Sequence, residues 1–269
     1  MTATAAARTS PAIAAALDGG RQIPPFSAQG AGLSLETAYR AAAHLRALRG
    51  ARGERQIGRK IGFTNRAIWA QYRVDRPIWG DVYDTTLHRL SAGGGAFRLA
   101  GLCEPQIEPE IVFGLSAAPA ADMDDAALMN CIGWAGHGFE IVQSIFPGWR
   151  FSAADTVAAG GLHGALLLGD AIEVAQLPDI HRALATFELV LSCDGKVIDR
   201  GGGASVLGSP LAALRHLVEE LAERGSDPLR AGEIVTTGTL TRAFPVAPGQ
   251  TWSSAISGIG LRGLTVAFG

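Results

Sequence analysis

A chain of 269 residues, 48% hydrophobic, with a net charge of −2 and a pI near 6.3, describes a globular protein long enough for one large domain or one domain with a cap. No run approaches the ~18 consecutive apolar residues of a membrane span. The near-neutral balance, without a clustered Lys/Arg stripe, argues against a nucleic-acid partner.

Taken in chain order, residues 1–9 are rich in Ala and Thr and are expected to form a disordered tail, with a transit peptide as the alternative reading. Ser10-Pro11 reads as a helix N-cap followed by Pro at the first helical position, opening a helix through Leu17 that stops at Gly19-Gly20. Ser34 caps a second helix, in which Leu35, Ala38, Tyr39, Ala42, Leu45 and Leu48 recur at three- and four-residue steps until Gly50. Arg59 to Thr64 reads as a short strand carrying Lys60 beside apolar Ile61 and Phe63. That lysine either snorkels or is aimed at a carboxylate-bearing ligand. A short helix follows over 65–72. Pro77 to Asp84 is a turn and an aromatic-rich strand, with Asp84 a possible cap, and Gly93-Gly94-Gly95 is a hairpin or domain joint.

The densest chemistry lies in Glu108-Pro109-Glu110-Ile111-Val112-Phe113-Gly114-Leu115. In a strand, alternate side chains share a face, so Glu108 and Glu110 point the same way with Cα atoms roughly 6.5–7 Å apart. Two like charges held this close persist cheaply only with a cation, a shared proton or open water between them. A solvated strand surface is the plain alternative. Against it stands Glu140, a lone acid inside the apolar run Phe139-Glu140-Ile141-Val142, because buried carboxylates are rarely left unpaired. Three carboxylates without a Cys or His ligand pair suit Mg²⁺ or Mn²⁺, which prefer oxygen ligands.

Glycines flank His137 just before Glu140. In Ala159-Gly160-Gly161-Leu162-His163-Gly164, small residues let the backbone approach a ligand, with His163 the only titratable side chain. A helix is expected over 122–131, a hairpin about Asp194-Gly195, and a Ser209-capped helix whose Leu211, Leu214, Leu217, Val218 and Leu221 face inward. Cys103, Cys131 and Cys193 are few and widely spaced, which points to reduced thiols and a cytoplasmic location.

Lys60-Ile61-Gly62-Phe63-Thr64, the Glu108-x-Glu110 strand, Phe139-Glu140-Ile141-Val142, Leu207-Gly208-x-Pro210-Leu211 and Arg230-x-Gly232-x-x-Val235-x-x-Gly238 are spread along the chain in a recognisable order. Together they resemble the 2-keto-4-pentenoate hydratase and 4-oxalocrotonate decarboxylase branch of the fumarylacetoacetate hydrolase superfamily. The resemblance implies an α+β fold: a helical N-terminal cap region over 10–92 and a mixed β-sandwich or β-roll catalytic core over 93–269. It implies Mg²⁺ or Mn²⁺ held by Glu108, Glu110 and Glu140, and a small 2-keto acid or its enol as substrate. Lys60, Thr237 and Gly238 would contact that substrate, and a homo-oligomer is expected.

One stretch departs from the family pattern. Where typical hydratases carry an Asp-Asn-Ala-Ser-Ser-Gly-like segment, this chain has Ala159-Gly160-Gly161-Leu162-His163-Gly164. The leading expectation is a hydratase acting through a metal-stabilised enolate, with Lys60 or His163 moving protons. The alternatives are a 2-oxo acid decarboxylase, an acylpyruvate-type hydrolase using His137 or His163 as base, and a silent member that stabilises a partner enzyme.

Overall fold

A computed structural model describes residues 2–29, 32–72, 74–91 and 94–269 of the chain. The helical entry consists of α1 (Thr2–Asp18) and α2 (Leu35–Ala51), with Ser34 accepting the Thr37 N–H as N-cap. There follow β1 (Gln56–Gly62), α3 (Trp69–Tyr72), β2 (Ile78–Tyr83), β3 (Leu87–Arg89) and β4 (Gly95–Phe97). The middle of the chain supplies β5 (Gln106–Leu115), α4 (Asp125–Asn130), β6 (Ile132–Val142), α5 (Ala153–Ala158) and β7 (His163–Glu173). It closes with α6 (Ile180–Thr186), β8 (Glu188–Cys193), β9 (Lys196–Gly202), α7 (Pro210–Glu223), β10 (Ile234–Thr239), β11 (Phe244–Pro245), β12 (Thr251–Ser257) and β13 (Thr265–Phe268).

Two mixed sheets result. The larger runs β2-β1-β10-β5-β6-β7-β3, with β11 added alongside β5, and the smaller runs β4-β13-β12-β8-β9. β5 and β6 are buried on both faces for most of their length, whereas β13 alternates exposed and buried residues. Ile111, Phe113 and Leu115 of β5 enter a main core with Phe139, Leu167 and the inward leucines of α7. Leu211, Leu214, Leu217 and Leu221 are all buried, each contributing roughly 1.5–3 kcal/mol of transfer free energy. This is the expected mixed-β architecture with helices at the N-terminus.

Several expectations are corrected. Residues 2–9 belong to α1 rather than to a disordered tail. Their Ala-rich composition favours helix, and packing of Ile13 and Ala16 against Ala38, Ala41 and Leu45 of α2 holds it despite Pro11 in its interior. Ser10 is not a cap: its hydroxyl donates to the Ala41 carbonyl. Asp84 instead accepts the Arg55 N–H and guanidinium. The region 10–92 is not wholly helical: beyond α2 it holds the four-residue α3, and β1 pairs in parallel with β10 and carries β2 into the main sheet. Met1, and the 92–93 boundary of the expected joint, lie outside the described residues. No described helix is long and apolar enough to cross a membrane.

Candidate functional site

The register of β5 against β6 builds the site. Glu108 lies directly opposite Glu140 and Glu110 opposite Gly138, so the two carboxylates of β5 and the one of β6 share a face. Directly opposed residues have Cβ atoms roughly 4.5–5.5 Å apart. One carboxylate oxygen from each of Glu108, Glu110 and Glu140 lies within 4.8 Å of the others. Glu110 and Glu140 are fully buried, while Glu108 lines a cavity of about 220 Å³.

Lys60, on the same side two strands away, is also buried. Its Nζ lies 3.2 Å from Glu140 Oε2 and donates to the Gly161 carbonyl at 3.0 Å. Gly161 has φ of +70°, and a Cβ there would stand 2.8 Å from Lys60 Cδ, so the glycine permits the approach. The small-residue segment thus closes on the lysine.

At an effective dielectric near 20, two charges 4.8 Å apart repel by roughly 3–4 kcal/mol, so three carboxylates beside one lysine are not all ionised without further positive charge. The pKa pattern agrees. Burial raises Glu108 to about 7, with Lys60 opposing and Glu140 adding to the rise. Glu110 is pushed well above its ordinary value by burial and by Glu140 and Glu108. Glu140 is also penalised by burial, but Lys60 and His163 outweigh that and hold it low. Burial works against the Lys60 ammonium, yet the charges of Glu140, Glu108 and Glu110 keep it above the usual lysine value.

Residue chemistry fits a cation here. Glu110 Oε1 is buried with no hydrogen-bond partner, while its Oε2 accepts the Gly238 N–H at 2.9 Å. Glu140 Oε2 meets only Lys60, off the hydrogen-bonding direction. Two orphaned oxygens, a raised Glu108 and an all-oxygen donor set match a hard divalent ion.

The two histidines lie elsewhere. His163 does not line the cavity: Nδ1 contacts Glu140 Oε1 at 2.7 Å and Nε2 contacts Thr86 Oγ1 at 2.8 Å, so the ring backs the carboxylate from behind. With Glu140 ionised, Nδ1 is the donor. His137 is buried with Nδ1 on the Glu110 carbonyl at 2.9 Å and Nε2 on Ser254 Oγ at 2.8 Å, and burial lowers its pKa to about 4. It is neutral and turned away from the cavity. Thr237 and Gly238 do not line the cavity either. The Thr237 hydroxyl donates to the Ile111 carbonyl, and Gly238 serves Glu110.

Sequence reasoning missed the cavity's other walls: Thr64, Thr239, Arg242 and the rings of Phe63, Tyr72 and Phe151. Thr64 Oγ1 is buried without a partner beside Gly238, which leaves it free for a ligand oxygen. Its place directly after Lys60-Ile61-Gly62-Phe63 was the available signal.

Residues 86–267 match the fumarylacetoacetate (FAA) hydrolase C-terminal family. The chain is 34% identical over 214 residues to a 2-keto-4-pentenoate hydratase of Burkholderia vietnamiensis, covering 79% of each protein. It is 30% identical over 249 residues to a 2-hydroxyhexa-2,4-dienoate hydratase of Comamonas testosteroni, covering 91% of each. Among solved structures, 4-oxalocrotonate decarboxylase from Pseudomonas putida, complexed with magnesium and adipate, superposes with a TM-score of 0.89 at 26% identity. That match covers 100% of this chain and 98% of the other.

Proposed function

Because the chain belongs to the fumarylacetoacetate hydrolase family, we propose that it is a divalent-metal-dependent lyase acting on a 2-keto acid or its enol, foremost as a hydratase of a 2-hydroxy-2,4-dienoate. The observation that carries this reading is the convergence of Glu108, Glu110 and Glu140 within 4.8 Å, with an orphaned oxygen, at the wall of a cavity shared with Lys60. These three carboxylates would hold Mg²⁺ or Mn²⁺. When bound, the cation supplies Lewis-acid polarisation of the substrate's 2-oxygen and charge stabilisation as electrons move onto it.

The chain's own groups do the rest. An ammonium has three donors, of which Lys60 gives one to the Gly161 carbonyl while its charge pairs with Glu140. A donor remains for the substrate's carboxylate or 2-oxygen. Held above its ordinary pKa, Lys60 acts as a cationic anchor and hydrogen-bond donor rather than as a base. Thr64 offers its unpartnered hydroxyl to a substrate oxygen or the attacking water, while that of Thr239 donates to the Thr241 carbonyl. His163 positions Glu140, and the Gly238 N–H positions Glu110. Phe63, Tyr72 and Phe151 exclude bulk water from the wall.

Hydrolytic cleavage would need a base to activate water, and neither His137 nor His163 reaches the cavity. The retained carboxylates, lysine and cavity leave the silent-partner reading without support. Decarboxylation is the second reading, favoured by the superposition on the P. putida decarboxylase. The protein is further taken to be a cytoplasmic homo-oligomer. Light scattering well above the 27.9 kDa of one chain would support the assembly, and a mass near that value would exclude it.

The test is metal titration by calorimetry with Glu108→Ala beside the parent, followed by product identification by mass with Mg²⁺ or Mn²⁺ present. Gain of water from a 2-hydroxydienoate, and lost metal binding in the variant, are expected. Unchanged metal affinity in Glu108→Ala would show the site to be wrongly assigned.

A further inference from the structure

The cavity wall is chemically divided. Its ionisable end holds Lys60 and Glu108, with Thr64 and Thr239 beside them. Its lining also includes a contiguous aromatic group: Phe63 and Tyr72 have ring centroids 5.6 Å apart, Tyr72 stacks on Phe151 at 5.7 Å, and Trp149 meets Phe151 edge-on at 6.0 Å. Tyr72 and Glu108 line the same cavity, so the aromatic group and the ionisable end bound one space. A ligand anchored on Lys60 has these rings in front of its far end.

We propose, resting on the 2-keto acid reading above, that the substrate is a monocarboxylate whose chain continues beyond carbon 5 as an apolar tail, alkyl or aryl, seated against Phe63, Tyr72 and Phe151. Two observations carry this. Aromatic rings return free energy to apolar area and to the flat π-system of a dienoate tail. A second carboxylate, in contrast, finds there a cation already shared with a protein carboxylate. Among the described residues lining the cavity, the one cation besides Lys60 is Arg242. Its Nε is already paired with Asp199 Oδ2 at 3.2 Å, and its guanidinium lies over the Phe244 ring at 5.1 Å. A distal carboxylate against the rings would shed its hydration there, and to reach a cation it would have to compete with Asp199 for Arg242. The rings therefore select for an apolar tail, and the substrate is distinguished from a dicarboxylate such as the one a 4-oxalocrotonate decarboxylase takes.

Binding reads this without depending on turnover. Dissociation constants are measured by calorimetry on the Mg²⁺-loaded protein for 2-oxopentanoate, 2-oxohexanoate, 2-oxooctanoate, 4-phenyl-2-oxobutanoate and 2-oxoadipate. Affinity is expected to rise about threefold per added methylene, somewhat below the fourfold of full burial. 2-Oxoadipate should bind at least tenfold more weakly than 2-oxohexanoate, its equal in chain length. Phe151→Ala and, separately, Trp149→Ala should flatten the methylene series. A flat series in the parent protein, or 2-oxoadipate binding as tightly as 2-oxohexanoate with Arg242→Gln abolishing that binding, overturns the inference while leaving the 2-keto acid reading intact. Failure of every 2-oxo acid to bind in the presence of metal overturns both.

Discussion

Replacing His163 tests whether a residue that never touches the cavity sets the behaviour of one that faces it. The ring donates to Glu140 Oε1 at 2.7 Å from a position 6% exposed, and its far nitrogen is engaged by Thr86 Oγ1. In His163→Ala, a fully buried carboxylate oxygen loses its donor, which leaves Lys60 as the partner of Glu140. An unsatisfied buried group costs about 1–3 kcal/mol, so the unfolding free energy of the metal-free variant, read from urea denaturation, should fall by roughly that amount. With Glu140 free to turn, metal affinity should fall about 10–100-fold, as is typical when the partner of a liganding group is lost. His163→Asn, which restores one N–H donor, should recover part of the affinity. Calorimetric Mn²⁺ titration with parallel urea denaturation separates the two effects. An affinity within threefold of the parent in a folded His163→Ala would refute the positioning role. Lost turnover at normal metal affinity would instead restore His163 as a proton carrier.

Three other outcomes follow from the charge pattern. Metal binding should displace protons, because Glu110 sits well above its ordinary pKa and Glu108 near 7. Protons should be released on metal binding at pH 7, fewer as the pH rises, measured by calorimetry in buffers of different ionisation enthalpy. Glu108 in the metal-free fold binds its proton more tightly than in the unfolded chain, so its contribution to stability is lost as pH rises from about 4.5 to about 7. The stability advantage of Glu108→Gln over the parent in EDTA should therefore grow across that window and level off above it, and a pH-independent difference would contradict the assignment. His137 titrates the other way: its folded pKa of about 4 lies below the unfolded value, so folding loses up to about 3 kcal/mol as pH falls from 6.5 to 4. His137→Gln should remove that acid sensitivity with kcat within severalfold of the parent, and a kcat collapse with metal affinity intact would revive a base role for His137.

The sequence alone determined that Glu108 and Glu110 share a face, because side-chain alternation along a strand is a local property of the backbone. It likewise marked Glu140 as anomalous, since an isolated acid in an apolar run demands a partner, and it placed Lys60 on a strand near apolar neighbours. Which partner each would meet was a matter of tertiary structure. Only the β5–β6 register brings Glu140 opposite Glu108, and only the parallel pairing of β1 with β10 swings Lys60 onto the same face from a segment read as part of the cap. The direction of His163 was equally invisible. A ring at the head of its strand can point to either side of the sheet, and pairing of β7 with β6 turned it behind Glu140 rather than into the cavity. The aromatic wall is the least local feature of all. Phe63, Tyr72, Trp149 and Phe151 come from two segments about 80 residues apart, and their meeting depends on how α3 and the 147–151 turn pack over the sheet, which no periodicity encodes.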